Sequence, residues 1–269
     1  MMLNYSLHGN LNSDDGEIGF GIQPTTNNSA PTGGGVSDFR IISEKIRVPE
    51  IERAVPRRRL TELLTKQFEL FGATLVFGRA GTGKTTLAVG FSENYEQLSW
   101  FRVDSTDIDW NIFSRYLLSS FQKSSGDNQN GFQNISAEGN LETRVLKFLE
   151  RLFSRLEPAT GGKPFLIVLD DLHSVFDAPW FEVFFKGLLS FDLPNIHFLL
   201  LSRSKPPFPL LRLRSKQKLG VIEENLLLFT PGETGELLQK EGVSAENAKG
   251  IQKKTYGRIS KIKQLTESA

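Results

Sequence analysis

Apolar residues along this chain follow two different periods. Short, largely apolar runs occur at Ala73-Thr74-Leu75-Val76-Phe77, Leu98-Ser99-Trp100-Phe101-Arg102-Val103, Phe165-Leu166-Ile167-Val168-Leu169 and Ile196-His197-Phe198-Leu199-Leu200-Leu201. Runs of this length without polar alternation read as strands buried on both faces, the pattern of a parallel sheet. One more strand is expected from Val221-Ile222-Glu223 and Leu226-Leu227-Leu228-Phe229. Between the runs, apolar positions recur at helical spacing. Leu60, Leu63 and Leu64 follow Pro56. Ile112, Phe113, Tyr116, Leu117 and Phe121 form a second set, and Leu141, Val145, Phe148, Leu149, Leu152 and Leu156 a third. Trp180, Phe181, Phe184, Phe185 and Leu188 form a fourth. Strands alternating with helices predict an α/β domain over 39–229. Thr230-Pro231-Gly232-Glu233 has the form of a capping box, and 230–269 is expected as a small helical annex broken at Gly242 and Tyr256-Gly257. Residues 1–38, rich in Asn, Ser, Gly and Thr, predict a disordered tail. The polar stretch 123–136 predicts a surface loop.

The first strand runs into Gly78-Arg79-Ala80-Gly81-Thr82-Gly83-Lys84-Thr85, which fits G-x-x-x-x-G-K-[ST], the P-loop of nucleoside triphosphate binding. The glycines permit dihedrals that turn successive N–H groups inward, and the helix that follows points its positive end at the phosphates. On this reading Gly78, Arg79, Ala80, Gly81, Thr82 and Gly83 form the cradle. Lys84 reaches the β- and γ-phosphates, Thr85 ligates Mg²⁺, and Thr86 touches the α-phosphate. The third long run ends in Asp170-Asp171-Leu172-His173. A strand ending in acids has the form of a Walker B motif, with Asp170 as the Mg²⁺ residue and Asp171 placed to orient or deprotonate water. The fourth ends in Ser202-Arg203, and Arg203 suits either a γ-phosphate contact or a structural ion pair. His173 reads as a phosphate sensor or as a loop histidine bonded to backbone. Asp104, Asp107 and Asp109 read as metal-approaching acids or as helix caps.

Composition narrows the function classes. The formal net charge is +1, so Arg57-Arg58-Arg59 stands as an isolated basic run and not as part of a nucleic-acid surface. The chain has 0 cysteines and 3 scattered histidines, which excludes thiolate sites and disfavours a histidine metal cluster. No apolar run approaches the roughly 18 residues of a membrane span, and no secretory signal is visible, so no membrane partner is expected and a cytoplasmic place is. The guanine-reading N-K-x-D tetrapeptide is absent, which favours ATP over GTP.

With these residues in place, the chain over roughly 40–269 resembles the nucleotide-binding domain of STAND ATPases, specifically the large ATP-binding LuxR-type regulators related to the maltose-system activator. The likeness rests on Lys45-Ile46-x-x-Pro49, Arg57-x-Arg59-Leu60, the P-loop, and Trp100 with Asp104, Asp107 and Phe113. It extends through Asp170-Asp171-Leu172-His173, Leu201-Ser202-Arg203 and Leu228-Phe229-Thr230-x-x-Glu233. Leu172 stands where the family has an aromatic residue, and Gly257-Arg258 where it has Gly-Trp. The resemblance implies an ATP-driven switch in transcription regulation that rests with ADP, exchanges it for ATP, self-associates and hydrolyses ATP slowly. It also implies that Ile46, Pro49, Arg57 and Arg59 help to hold the adenosine. The family's helical-repeat sensor and helix-turn-helix have no counterpart in these residues, so no DNA-binding domain is expected in this chain; a fragment and a free-standing module both fit. The expected fold is therefore a three-layer α/β P-loop NTPase with a parallel sheet and a helical annex, acting on ATP or ADP with Mg²⁺. Two rivals are a nucleotide-binding interaction module without turnover and a P-loop small-molecule kinase, for which Arg212 and Arg214 are the nearby basic pair.

Overall fold

The computed structural model describes residues 40–51, 55–124 and 139–267. The expected tail, 1–38, and all but the first two residues of the expected loop at 123–136 lie outside these. The described residues form five parallel strands: Ala73–Phe77 (β1), Gln97–Arg102 (β2), Phe165–Asp170 (β3), Ile196–Ser202 (β4) and Gly220–Ile222 (β5). Their order across the sheet is β2-β3-β4-β1-β5, so β1 lies between β4 and β5. All residues of β1 and β3 are buried, which is why their sequences carry no polar alternation.

Helices cover both faces. Arg58–Leu70 (α1) and Lys84–Ser92 (α2) place Leu60, Leu64, Phe68, Leu87 and Phe91 against Val76, Trp100, Leu166, Val168 and Leu199. The opposite face receives Trp110–Ser124 (α3), Leu141–Ala159 (α4) and Phe181–Leu188 (α5). There Phe121 meets Phe165, ring centroids 6.0 Å apart, and Phe153 meets Phe198 at 5.7 Å. Leu166 and Val168 look one way and Phe165 the other, as the period of two requires. This is the three-layer α/β fold of P-loop NTPases. Trp110, Phe113, Trp180 and Phe184 interlock beneath α3 and α5, with Phe113 and Trp180 centroids 4.4 Å apart. All three tryptophans of the chain are buried in this α/β body.

After β4 the chain forms the short exposed helix Leu211–Ser215 (α6), then β5. The apolar run expected to continue as strand through Phe229 does not. Beyond Ile222 the chain forms one helical turn, Glu224–Leu227 (α7), which buries Leu227 in the core and brings Glu224 to the loop after β1. Pro231–Lys240 (α8), Ala245–Thr255 (α9) and Ile259–Glu267 (α10) follow. Thr230 and Glu233 make the expected capping box at α8. Phe229, Leu237, Leu238, Ala248 and Ile262 form the apolar centre of these helices, and Val55 joins them. The Arg57 guanidinium fastens α1 to this region, donating to Leu227 O (2.7 Å), Leu228 O (2.9 Å) and Glu233 Oε2 (3.1 Å).

At the β2 edge, a 3-10 turn at Ser43–Ile46 is held by one buried charge pair. Lys45 Nζ lies 2.6 Å from Asp107 Oδ1 and 3.0 Å from Asp104 Oδ2, and sits over the Tyr116 ring at 4.3 Å. Asp107 has 0% exposure, and among the described residues its carboxylate is held by this ammonium and the Asp104 N–H. Burial raises the Asp107 pKa, against the pull of the Asp104 amide and Lys45. Lys45→Met is expected to lower the unfolding free energy by about 3–5 kcal/mol at neutral pH, since it leaves a buried carboxylate unpaired. The deficit should shrink on acidification. The orphaned carboxyl, with its folded-state pKa raised, then holds a proton that the unfolded chain releases. Urea unfolding followed by tryptophan fluorescence across pH checks both parts.

Candidate functional site

The carboxyl ends of β1, β4 and β3 lie side by side, and the predicted residues gather there. Gly78 N donates to Ser202 O (3.2 Å), extending the pairing of β1 with β4 by one residue before the loop departs. Gly81 and Gly83 have φ of 74° and 83°, the left-handed region that a side chain disfavours. Thr82 Oγ1 donates to Arg79 O (2.9 Å), closing the loop on itself. Gly83 then caps α2, and Leu87 N reaches back to Gly83 O (2.9 Å).

Lys84 folds into the concavity of this loop. Its Nζ donates to Gly78 O (2.6 Å), Arg79 O (3.1 Å) and Thr82 Oγ1 (3.5 Å). All three are uncharged oxygens, and the residue is 7% exposed. Burial lowers its pKa, while the more distant Asp171 and Asp170 oppose that shift. Among the described residues, the ammonium has no carboxylate within hydrogen-bonding distance.

One residue on, the Thr85 hydroxyl donates to Asp170 Oδ2 (3.0 Å). Asp170 comes from β3, which β4 separates from β1, so this bond spans an intervening strand. Its other oxygen accepts from the Asp171 N–H (2.9 Å). Asp170 is 2% exposed, and burial raises its pKa, with the neighbouring Asp171 charge adding to the rise. A hydroxyl and a carboxylate in contact at the foot of a phosphate loop suit Mg²⁺, which binds through one or two protein oxygens and takes its remaining ligands from phosphate and water. Such a site needs no cluster of three or more His, Cys, Asp or Glu, and none occurs among the described residues.

Asp171 adopts φ 56°, a left-handed conformation uncommon for a residue with a side chain. This turn places its carboxylate between two arginines and beside the His173 ring, whose lowered pKa favours the neutral form. Arg203 Nε lies 3.3 Å from Oδ1, Arg102 Nε 3.8 Å from Oδ2, and His173 Nδ1 3.8 Å from Oδ1. Arg203 thus makes the ion pair that was one of its two sequence readings, while its side chain stays half exposed. Burial lowers the His173 pKa, and its Nδ1 is buried without a hydrogen-bond partner.

The adenosine candidates are spread more widely. Ile46 is buried at the β2 edge beside Lys45, three strands from β1, and Pro49 follows it, half-buried. Arg57 is occupied by Leu227 O, Leu228 O and Glu233. Arg59 donates to Leu226 O (2.9 Å) and Leu228 O (3.3 Å) and lies 3.6 Å from Glu233 Oε2, while its Nε is buried with no hydrogen-bond partner among the described residues. Thr86, on the first turn of α2, is partly exposed. The three acids after β2 act as caps and as a charge partner. Asp104 caps the turn at Ser105–Ile108, Asp109 Oδ1 accepts from Asn111 N (2.8 Å), and Asp107 holds Lys45.

Glu224 was not singled out by the sequence, and it touches the loop directly. Arg79 N donates to its Oε2 and Arg79 Nε to its Oε1, both at 2.9 Å. Hydrogen bonds from Arg79 hold its pKa down at about 2. No local sequence signal marks it, since its partner Arg79 lies 145 residues away along the chain.

No protein-family model matches the chain. By sequence it is similar to the HTH-type transcriptional regulator MalT of Klebsiella pneumoniae, 28% identical over 193 residues. That match covers 71% of this chain and 21% of the regulator. The MalT of Vibrio campbellii is 27% identical over 221 residues, 80% of this chain and 24% of that one. The MalT of Vibrio cholerae is 29% identical over 196 residues, 72% and 21% respectively. The chain therefore spans about a fifth to a quarter of the length of the curated relatives it matches. Among solved structures, a Walker-type ATPase of Pyrococcus abyssi aligns over 80% of this chain and 69% of its own, with TM-score 0.49 and 14% identity. ORC1 of Aeropyrum pernix aligns over 72% and 50%, with TM-score 0.42 and 18% identity. Both scores fall below 0.5, so the fold stands on the sheet order and the loop described above. The sequence relatives are the regulators that the motif resemblance pointed to.

Asp170→Asn tests the strained half of the site. An ionised carboxylate held where burial raises its pKa weakens the fold at neutral pH; in the amide, Oδ1 still accepts from the Asp171 N–H and the NH2 donates to the Thr85 hydroxyl, which can accept as well as donate. The variant is expected to be more stable than wild type by about 1 kcal/mol in metal-free buffer. The difference should vanish as pH falls through the raised pKa of Asp170, when the wild-type group is itself neutral. Urea midpoints measured across pH in the presence of a chelator check this.

Proposed function

We propose that this chain, whose relatives are MalT-type transcriptional regulators, is a nucleotide-binding switch module that takes ATP or ADP with Mg²⁺ and hydrolyses ATP slowly. The observation that carries this reading is the state of Lys84: buried in the glycine loop, bonded only to neutral oxygens, with the Thr85–Asp170 pair beside it. In this reading Gly78, Arg79, Ala80, Gly81, Thr82 and Gly83 surround the phosphates and Lys84 exchanges its carbonyl partners for phosphate oxygens. Thr86 meets the α-phosphate. Thr85 and Asp170 would hold Mg²⁺, which when bound neutralises charge on the β- and γ-phosphates.

Asp171 is the residue proposed to orient water. Its left-handed turn keeps the carboxylate apart from Asp170, and Arg203 and Arg102 flank it. Arg203 then has two states: paired with Asp171, or turned to a γ-phosphate, where its fork of donors fits. Ile46 lies at the β2 edge, whereas Arg57 and Arg59 meet the segment before α8. An adenosine role for Ile46, Pro49, Arg57 and Arg59 rests on the family resemblance alone. No helix among the described residues is long and apolar enough to cross a membrane. A role in transcription regulation, with self-association on ATP binding and a cytoplasmic setting, extends the reading from the relatives' names and the family resemblance.

Thermal unfolding with and without nucleotide is the direct test. At free ADP or Mg·ATP about 100 times Kd, the wild-type chain is expected to gain about 2.7 kcal/mol. Lys84→Ala should lose that gain. Asp171→Asn should retain nucleotide binding while phosphate release falls at least about a hundredfold, the scale of a lost acid–base or orienting group. Binding without any turnover in wild type would favour the rival reading of a non-hydrolysing interaction module.

A further inference from the structure

The loop is fastened on its outer side by a second set of contacts that nucleotide chemistry alone does not require. The Glu224 carboxylate is shared by two arginines from different parts of the chain. Arg79, in the loop, gives it a backbone N–H and its guanidinium, with Arg79 NH2 2.9 Å from Oε1. Arg258, at the start of α10, gives it NH2 at 2.8 Å. Two residues further, Ser260 N donates to Gly81 O (3.2 Å). A Cβ on Gly81 would fall 2.3 Å from Ser260 Oγ, so the absence of a side chain at Gly81 is what lets α10 reach the loop. At the base of the same helices, Phe229 N donates to Gly257 O (2.7 Å), and Gly257 has φ 73° with no room for a Cβ beside Phe229 O.

These contacts are unequal in what their loss would leave behind. If Arg258 and Ser260 withdraw, Glu224 keeps both donors from Arg79, and no buried carboxylate is orphaned. The Arg258 side chain is 20% exposed, so water can take over its donors. The helices can therefore leave the loop without breaking the loop's own support. The opposite is not true of Glu224, on which both sides depend.

We infer that Glu224 is a positioning residue and latch, which clamps the start of α10 onto the phosphate loop through Arg258 and Ser260 and so sets the rate at which nucleotide leaves. This inference rests on the nucleotide-binding reading above and adds its regulation. Nucleotide release would require, or be greatly sped by, the parting of Arg258 from Glu224. A signal that moves α8–α10 would act on release by way of this one carboxylate.

The test uses the full chain and a fluorescent ADP analogue, with release followed after mixing with excess unlabelled ADP. Glu224→Gln and Arg258→Gln are each expected to speed release roughly tenfold, the scale of one charge-assisted hydrogen bond. Arg258→Gln removes the link to α10 alone, whereas Glu224→Gln also weakens the Arg79 contacts; adding Arg258→Gln to Glu224→Gln should speed release little further, since the carboxylate it pairs with is already gone. Hydrogen exchange should rise at the Ser260 amide and along α10 while β3 stays protected. Release at the wild-type rate in folded Arg258→Gln and Glu224→Gln overturns the latch and leaves the nucleotide reading standing. Exchange rising equally in β3 also overturns it, because the effect is then general loosening. A wild-type chain that takes up no ADP analogue refutes the nucleotide reading itself, and with it any role for Glu224 in release.

Discussion

A carboxylate removed from water must find donors inside the protein, and Asp170 has found two. The Thr85 hydroxyl and the Asp171 N–H occupy its two oxygens, and between them they fix the centre of the molecule. Thr85 belongs to the helix behind the glycine loop and Asp170 to a strand two places away across the sheet. Their bond therefore sets the height of α2 against β3, and with it the position of Lys84 one residue earlier. Asp171 is left to turn away, since two carboxylates at this spacing repel. Its left-handed backbone is the geometric answer to that repulsion, and Arg203 and Arg102 are its electrostatic one.

The carboxyl end of the sheet is organised as three charge groups in a row. Lys45 with Asp107 and Asp104 closes the β2 edge. Asp170, Asp171 and Arg203 occupy the middle, and Arg79, Glu224 and Arg258 close the side nearest β5. Each group ties a segment that is not part of the sheet to the end of a strand. Below them the interior is apolar and rich in interlocking rings. A rigid, close-packed body with ionic fastenings along one rim is suited to holding a charged ligand while letting peripheral segments move.

The parts legible in the sequence are those whose determinants are local. Four strands announce themselves as apolar runs, and the glycine loop and α8 carry their own turn and cap residues. Asp104 and Asp109 sit where a capping residue belongs. What the sequence hid depends on partners far away along the chain. Lys45 and Asp107 are 62 residues apart, Arg79 and Glu224 145, and Arg57 and Glu233 176. No periodicity signals such pairs. The stretch at 226–229 misled for a related reason. Its leucines suit a strand, but Leu227 finds its buried place from a single helical turn, and Glu224 at the start of that turn meets Arg79 and Arg258, both far away in sequence. Arg203 shows the intermediate case: chemistry offered two partners, and the structure displays the carboxylate.

The distribution of indole rings has a practical meaning. Trp100, Trp110 and Trp180 all lie in the α/β body, two of them stacked into its aromatic centre, and α8–α10 contain none. Tryptophan emission from this protein is therefore a signal of the sheet and its flanking helices. Detachment of the C-terminal helices would leave that emission almost silent. A single indole placed at Tyr256, which is 77% exposed at the end of α9, would give those helices an optical voice of their own.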